Sequence, residues 1–214
     1  MAIASEIITN FELQVSDITE LSSTEELLIL NRIHQRVCAE RPWEFLKTSA
    51  TGTMAGSGMD GSYISIPSDF SYFSQNLNYT NNAISTQNNA APKVIFVGTN
   101  YSPTYLVNYS DRRQYLGQTG YAYLDLANDK IIFTGTPTER TYDFDYIKVP
   151  PILTATDTPL IPARFQDVLI YGMAVEDAVM QLSPKATSYA QENRALYTQY
   201  IIDMAYWNAQ LQLN

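Results

Sequence analysis

The sequence predicts an α+β protein: a helical bundle built from both chain ends, with a β-rich antiparallel insertion in the middle. Near both ends, apolar residues recur at steps of three and four, the period of an amphipathic helix. Between residues 47 and 150 this period gives way to short runs rich in Tyr, Ile, Val and Phe, as in strands. The predicted domains are therefore 1–46 with 151–214 for the helical bundle, and 47–150 for the insertion.

The N-terminal part predicts two helices. Residues 5–15 form the first, with Ser5 as a candidate N-cap. Ser23-Thr24-Glu25-Glu26 has the form of a capping box, in which the Ser and Glu side chains bond each other's backbone N–H groups. The helix that it opens runs to about Ala39. Arg41–Pro42 ends it, because the residue before a proline avoids the helical conformation.

The insertion predicts seven short strands. They are Tyr63–Ile66, Phe70–Tyr79, Val94–Val97, Tyr105–Tyr109, Tyr121–Leu126, Lys130–Thr134 and Tyr142–Val149. Asn128–Asp129 predicts a hairpin turn between two of them. Asp111–Leu116 predicts one isolated helical turn. The Gly-rich residues 52–61 and the Asn-rich residues 76–91 predict exposed loops, which we expect protease to cut early in the isolated protein.

A third helix is expected to begin at about Pro162, since proline is tolerated at the first helical position. Its predicted buried stripe is Phe165, Val168, Leu169, Gly172, Val175 and Val179. Gly172 costs about 1 kcal/mol of helix propensity relative to Ala, which predicts the close approach of a neighbouring helix. Glu176–Asp177 should form the solvent face.

A last helix is predicted from about Ala186 to Leu211, with the inner stripe Tyr189, Leu196, Tyr200, Met204, Trp207 and Leu211. Tyr197, Ile201 and Tyr206 widen its apolar surface beyond what one helical partner needs. Residues 207–214 carry no charged side chain, unlike a frayed terminus. We therefore expect a partner interface here, formed by Tyr197, Tyr206, Trp207, Leu211 and Leu213. The alternative is that Trp207 and Tyr206 pack inside their own subunit.

Charge argues against nucleic-acid binding of the usual kind. The 214 residues contain 22 acidic and 13 basic side chains, for a net charge of −9. Residues 1–46 carry −5, residues 47–142 carry zero and residues 143–214 carry −4, so the helical ends hold the acidity and no basic face is expected. No apolar run is long enough to span a membrane, and residues 1–30 lack the pattern of a secretory signal.

Motifs that resemble catalytic or cofactor sites lack the context that such sites require. Residues 56–61 match GxGxxG by letter but lead into a predicted strand, whereas a dinucleotide site needs a helix there. His34 is the sole histidine and Cys38 the sole cysteine, so a four-ligand zinc site cannot be completed from them. Asp143 and Asp145 alternate with aromatic residues, as on a half-exposed strand. We therefore expect no enzyme activity, cofactor or metal.

The order of motifs resembles the adaptor, or head-to-tail connector, proteins of tailed bacteriophages. The motifs are Arg41-Pro42-Trp43-Glu44-Phe45-Leu46, Ile66-Pro67-Ser68-Asp69-Phe70, Tyr146-Ile147-Lys148-Val149-Pro150-Pro151-Ile152-Leu153, Asp157-Thr158-Pro159-Leu160-Ile161-Pro162 and Phe165-Gln166-Asp167-Val168-Leu169-Ile170-Tyr171-Gly172. The resemblance covers about residues 20–200.

The resemblance implies a structural virion protein that is made in the cytoplasm of the bacterial host. It implies a ring, commonly of twelve copies, that docks on the portal, joins the head to a downstream tail or nozzle protein and extends the DNA channel. Double-stranded DNA would pass through without specific binding, because an acidic wall repels phosphates. Two alternatives stay open: a tail completion or terminator protein, and a β-rich module that binds carbohydrate or peptide through its tyrosines.

Overall fold

The computed structural model describes residues 2–15, 21–56, 62–74, 94–98, 102–135, 140–181 and 184–212. The chain divides into two compact units: residues 1–46 together with 150–214, and residues 47–149. In the described parts, the first unit contains α-helices and the second contains β-strands, most of them paired antiparallel. The protein is therefore of the mixed α+β class, as the periodicities predict.

The helical unit contains four α-helices within its described residues: α1 (Ala4–Gln14), α2 (Ser23–Ala39), α3 (Asp167–Gln181) and α4 (Pro184–Gln212). A short 3-10 helix, Ala163–Phe165, precedes α3. The central element is α3, which contacts each of the other three helices. The core of the helical unit is apolar and includes Ile7, Phe11, Leu30, Ile33, Val168 and Leu169.

The N-terminal helices begin at other residues than predicted. The capping box of α2 is formed by Ser22 and Glu25, one residue before the predicted pair, since Ser22 has the extended backbone of an N-cap (φ −76°, ψ 155°). Glu26, the predicted partner, is buried. The N-cap of α1 is Ile3, not Ser5. Backbone carbonyls of the 150–162 segment accept from the first N–H groups of α1, so this helix needs no hydroxyl cap.

The buried stripe of α3 is correctly predicted only in its first half. Phe165, Val168, Leu169 and Gly172 are buried, but Val175 is half-buried and Val179 is 53% exposed. The predicted solvent face is also partly wrong, because Asp177 is 4% exposed. The physical reason is that α3 is covered by helices on several sides, so its buried surface is broader than one stripe.

Gly172 allows two neighbouring helices to approach α3. A Cβ atom at this position would lie 2.5 Å from Ile33 Cγ2 of α2 and 3.3 Å from Tyr197 Cε2 of α4. The close helix approach predicted from Gly172 is confirmed. Side chains of both α2 and α4 occupy the space that a Cβ atom would need.

The second unit contains eight strands in its described residues. They are β1 (Lys47–Thr53), β2 (Tyr63–Ser65), β3 (Phe70–Phe73), β4 (Val94–Val97), β5 (Ser102–Val107), β6 (Tyr121–Asp125), β7 (Lys130–Thr134) and β8 (Thr141–Lys148). The order in the sheet is β1-β8-β4-β5-β6-β7-β2, and β3 also pairs with β8. One cluster forms the core, with Ile64, Phe73, Ile95, Ile131, Phe133 and Phe144 among its members.

The sheet differs from the prediction in two respects. β1 is not among the predicted strands, yet it pairs with β8 over seven residues. The sheet is not purely antiparallel, because β5 and β6 pair in parallel, with Tyr105 opposite Tyr121. Residues 108–120 make this pairing geometrically feasible, since parallel neighbours need a crossover of about a dozen residues. The predicted helical turn lies in this crossover as a 3-10 helix, Tyr109–Gln114.

The hairpin predicted at Asn128–Asp129 is confirmed. It joins β6 to β7, with Asp125 opposite Lys130, and Asp129 adopts a positive φ of 50°. Such a backbone is tolerated best by Gly, Asn and Asp. The predicted Gly-rich loop 52–61 is wrong at its start, because Gly52 and Thr53 belong to β1 and Met54 is buried. Residues 57–61 and the predicted loop 76–91 lie outside the described residues, as does the predicted continuation of β3 toward Tyr79.

Candidate functional site

The inner face of α4 is only partly the predicted stripe. Met204 is buried, and the aromatic members Tyr189, Tyr200 and Trp207 are half-buried. Leu196 and Leu211 are each 43% exposed, so they do not belong to the core. The helix therefore exposes more apolar surface than the predicted stripe allows.

Two buried amides occupy the inner face of α4 instead. Asn193 accepts a hydrogen bond from the Gln14 side chain of α1 at 2.9 Å and donates to the Tyr189 carbonyl. Asn208 accepts from the backbone N–H of Glu44 at 2.7 Å. Both are at most 5% exposed, and buried amides need such partners. Composition gives no sign of them, because an exposed and a buried asparagine look alike in sequence.

A third buried amide holds the extended segment that precedes α3. The side-chain oxygen of Asn31, Oδ1, accepts from the Leu153 N–H at 2.7 Å, and its side-chain NH₂ group donates to the Leu153 carbonyl at 3.0 Å. Gln166 acts similarly, accepting from the Ala2 N–H and donating to the Ile161 carbonyl. The segment lacks regular structure, so these side chains satisfy backbone groups that a helix or a sheet would pair.

His34 and Cys38 are both buried in α2 and do not form a reactive pair. His34 Nε2 accepts from the Leu160 N–H at 3.4 Å, and burial lowers the pKa of the imidazole to about 4. Burial raises the pKa of the Cys38 thiol to about 12. A neutral imidazole and a protonated thiol are poor candidates for nucleophilic chemistry.

The predicted interface residues of α4 have different environments. Tyr206 is 70% exposed. Trp207 is half-buried, with its ring 5.6 Å from that of Phe165 and the Arg164 guanidinium 4.5 Å above it. Tyr197 is half-buried, Leu211 is 43% exposed, and Leu213 lies outside the described residues.

One side of α4 has no partner within the described residues. We call it the outer flank, and it consists of Gln199, Ile202, Asp203 and Tyr206. All four are exposed, including the large apolar side chains of Ile202 (42%) and Tyr206. Gln199 donates to Asp203 Oδ1 at 2.9 Å, so this carboxylate is held along the helix by a neighbour one turn away.

A cavity of about 430 Å³ lies between α2, α3 and α4, and we call it the groove. Arg36, Val175, Glu176, Val179, Arg194 and Tyr197 line it. Glu176 is the shared partner of two arginines, at 2.8 Å from Arg36 and 3.6 Å from Arg32. Within the described part of the chain, Arg194 has no carboxylate partner, and the buried Tyr197 hydroxyl has no hydrogen-bond partner.

The carboxylates of β8 belong to a half-exposed strand, as predicted. Asp145 accepts from Ser49 Oγ at 2.7 Å and lies 3.7 Å from Lys47 Nζ, both on β1. Phe144 and Tyr146, the aromatic neighbours of Asp145, are buried. Among the described residues, no group of three or more His, Cys, Asp or Glu side chains is placed to hold a metal ion. Likewise, no described helix is both long and apolar enough to cross a membrane.

Comparison with known families gives one result that spans almost the whole chain. The family model described as SU10 adaptor protein matches residues 3–212. The match includes both compact units, the groove and the outer flank. No curated protein sequence matches the chain.

Proposed function

Because the chain belongs to the SU10 adaptor protein family, a family of phage head–tail adaptors, we propose that it forms a ring that docks on the portal and joins the head to the tail. The family match over residues 3–212 carries this proposal, since it spans both units and not a shared fragment. A structural role also agrees with the environments of His34 and Cys38, which burial makes unreactive.

In this proposal, helices from both chain ends form one bundle, which is the assembly domain. The β-rich insertion, residues 47–149, is a second domain. The contacts of α3 with α1, α2 and α4 support a bundle that needs both ends of the chain. The ring has about twelve copies, as in the family that the sequence resembles, and its other face meets a downstream tail or nozzle protein.

The ring extends the DNA channel, through which double-stranded DNA slides without specific binding. The net charge of −9 supports this role, because DNA phosphates are repelled by an acidic wall and no counterions are released by binding. No enzymatic step is needed for such a role.

The end of α4 is the proposed partner interface, through Tyr197, Tyr206, Trp207, Leu211 and Leu213. Tyr206 is its anchor, because a tyrosine that is 70% exposed gains most from burial against a partner. Trp207 already packs against Phe165 and Arg164, so its role is to hold the surface that Tyr206 presents.

The test is to mix the purified chain with portal protein, image the complex by electron microscopy and measure the affinity. We expect a ring on the outer end of the portal. Tyr206→Ala should weaken assembly on the portal by about 2 kcal/mol, about 30-fold in Kd. Leu126→Ala is a matched control, because Leu126 is 69% exposed but lies in the β6–β7 turn.

Deletion of residues 206–214 is the more severe variant. If the truncated chain folds and still assembles with wild-type affinity, the proposed interface is wrong. In intact particles, a label attached to this chain should lie at the junction of head and tail. A label at the far end of the tail would instead indicate a tail terminator.

A further inference from the structure

Arg194 in the groove and Asp203 on the outer flank have opposite charges and lie on opposite sides of the same helix. Arg194 in the groove and Asp203 on the flank are nine residues apart in α4. At 3.6 residues per turn, nine residues are two and a half turns, which places the two side chains about 180° apart around the helix axis. One copy therefore cannot bring its own Asp203 to its own Arg194.

The groove is suited to an acidic partner. Arg36, Arg194 and Glu176 line it, and the Glu176 carboxylate is already shared by Arg36 and by Arg32, which lies outside the lining. A second carboxylate, that of Glu40, helps to raise the pKa of Tyr197 after the larger effect of burial. Two arginines against one carboxylate leave the lining of the groove with an excess of positive charge in a chain whose net charge is −9. A carboxylate of the partner would pair with Arg194.

The groove also offers a hydrogen-bond donor and an apolar rim. The Tyr197 hydroxyl is buried and without a partner among the described residues, and a buried polar group of this kind destabilises the protein until it is paired. Val179 is 53% exposed and Val175 half-buried at the same cavity. An occupant that combines an acidic group with an apolar side chain would satisfy all of these residues.

The outer flank of α4 has this combination. Ile202 and Asp203 are adjacent, whereas Tyr206, one turn later, belongs to the portal interface proposed above. We propose that Ile202 and Asp203 of one copy insert into the groove of the next copy, with Asp203 paired to Arg194 and Ile202 packed against Val179. The inference rests on the proposed function for the ring, and it names the surfaces that close that ring.

Such an interface is heterologous, because two different surfaces of the same chain meet. Repeated head-to-tail contacts of this type generate closed rings when the rotation per copy divides a full turn, and filaments when it does not. Arg194 and Asp203 provide complementary charges on two different surfaces of the chain, as such a contact requires. A two-fold dimer would instead place the same patch against itself.

The experiment is a charge swap, read by sedimentation velocity of the full chain over a range of concentrations and again with portal present. Arg194→Glu and Asp203→Arg should each weaken association between copies at least tenfold. The double variant R194E/D203R, which restores opposite charges across the interface, should recover most of it. Arg113→Glu, an exposed arginine of the second unit, is the charge-matched control and should have no effect.

A second measurement tests the contact directly. The double variant with Val179→Cys and Ile202→Cys should form disulfides between neighbouring copies when the ring is oxidised. Neither single variant should form a series of covalently linked copies. Native Cys38 is 4% exposed and does not compete.

The outcomes separate this inference from the proposed function. If the wild type forms rings on portal but the charge variants assemble equally well, or if no linked copies form, the interface is wrong and the adaptor role stands. If the wild type neither self-associates nor binds portal, the proposed function itself fails, and this inference with it.

Discussion

Asn31 and Leu153 exchange two hydrogen bonds, 2.7 and 3.0 Å long, between a side-chain amide of α2 and the backbone of an extended segment 122 residues later. The amide is 6% exposed, so water cannot replace it. The pair fixes the path of residues 150–162, whose carbonyls at Ala155 and Asp157 accept from the first N–H groups of α1.

Replacing Asn31 with leucine should therefore destabilise the helical unit strongly. Two backbone groups lose their partners, and each unsatisfied buried group costs about 1–3 kcal/mol, so we expect a loss of about 2–6 kcal/mol. Urea unfolding followed by tryptophan fluorescence measures it. The two tryptophans of the chain, Trp43 and Trp207, both belong to the helical unit, so this signal reports on that unit. Asn10→Leu, on the exposed side of α1, is the control, and an equal effect of both variants would contradict the explanation.

Gly172→Ala should destabilise the protein although alanine favours a helix by about 1 kcal/mol. The new methyl group would meet Ile33 Cγ2 at 2.5 Å, and such overpacking costs about 1–3 kcal/mol. The same substitution in an Ile33→Ala background removes the clash, so there it should be neutral or stabilising. The four proteins form a double-mutant cycle in urea. Equal effects of Gly172→Ala in both backgrounds would show that Ile33 is not the obstacle.

Acid should weaken the helical unit through His34. Burial lowers the pKa of its imidazole from 6.5 to about 4, so between these pH values the unfolded chain binds more protons than the folded one. Stability is therefore complete above pH 6.5, falls as the pH is lowered, and loses about 3 kcal/mol by pH 4. His34→Gln keeps a hydrogen-bond acceptor without titrating in this range. Parallel pH profiles of the two proteins would mean that His34 does not contribute.

Cys38 should be unreactive in the folded protein. It is 4% exposed, and burial raises the pKa of its thiol to about 12, so almost no thiolate is present at pH 8. We expect a chromogenic disulfide reagent to label it only as fast as the helical unit opens, and completely in urea. Full labelling within minutes under native conditions would show that the thiol is accessible.

Local sequence signals predicted the features that depend on one residue type or one period. Gly172 predicted a close helix contact, and Asn128–Asp129 predicted a hairpin that requires a positive φ. Such positions are predictable because few residues satisfy the backbone or the space available.

Features that depend on distant contacts were missed. β1 reads KTSATGT, with small polar residues that are exposed over most of the strand, and it is a strand because β8 pairs with it. Buried asparagines on α2 and α4 are invisible in a hydrophobic pattern, which assigns amides to the surface. Exposed Leu196 and Val179 were assigned to the core for the same reason. Propensity describes neighbours in sequence, whereas these residues are determined by partners far along the chain.

The pairing of β1 with β8 has a consequence for synthesis on the ribosome. Lys47 lies opposite Ile147, so β1 cannot pair with β8 until about 100 more residues have been translated, which takes about 5–20 s at typical rates of synthesis. Packing of the helical unit is completed later still, because α1 and α2 pack on α3, which is near the end of the chain. Nascent chains of this protein thus carry unpaired strand edges and uncovered helix faces for most of their elongation, the period in which chaperones have their opportunity to bind.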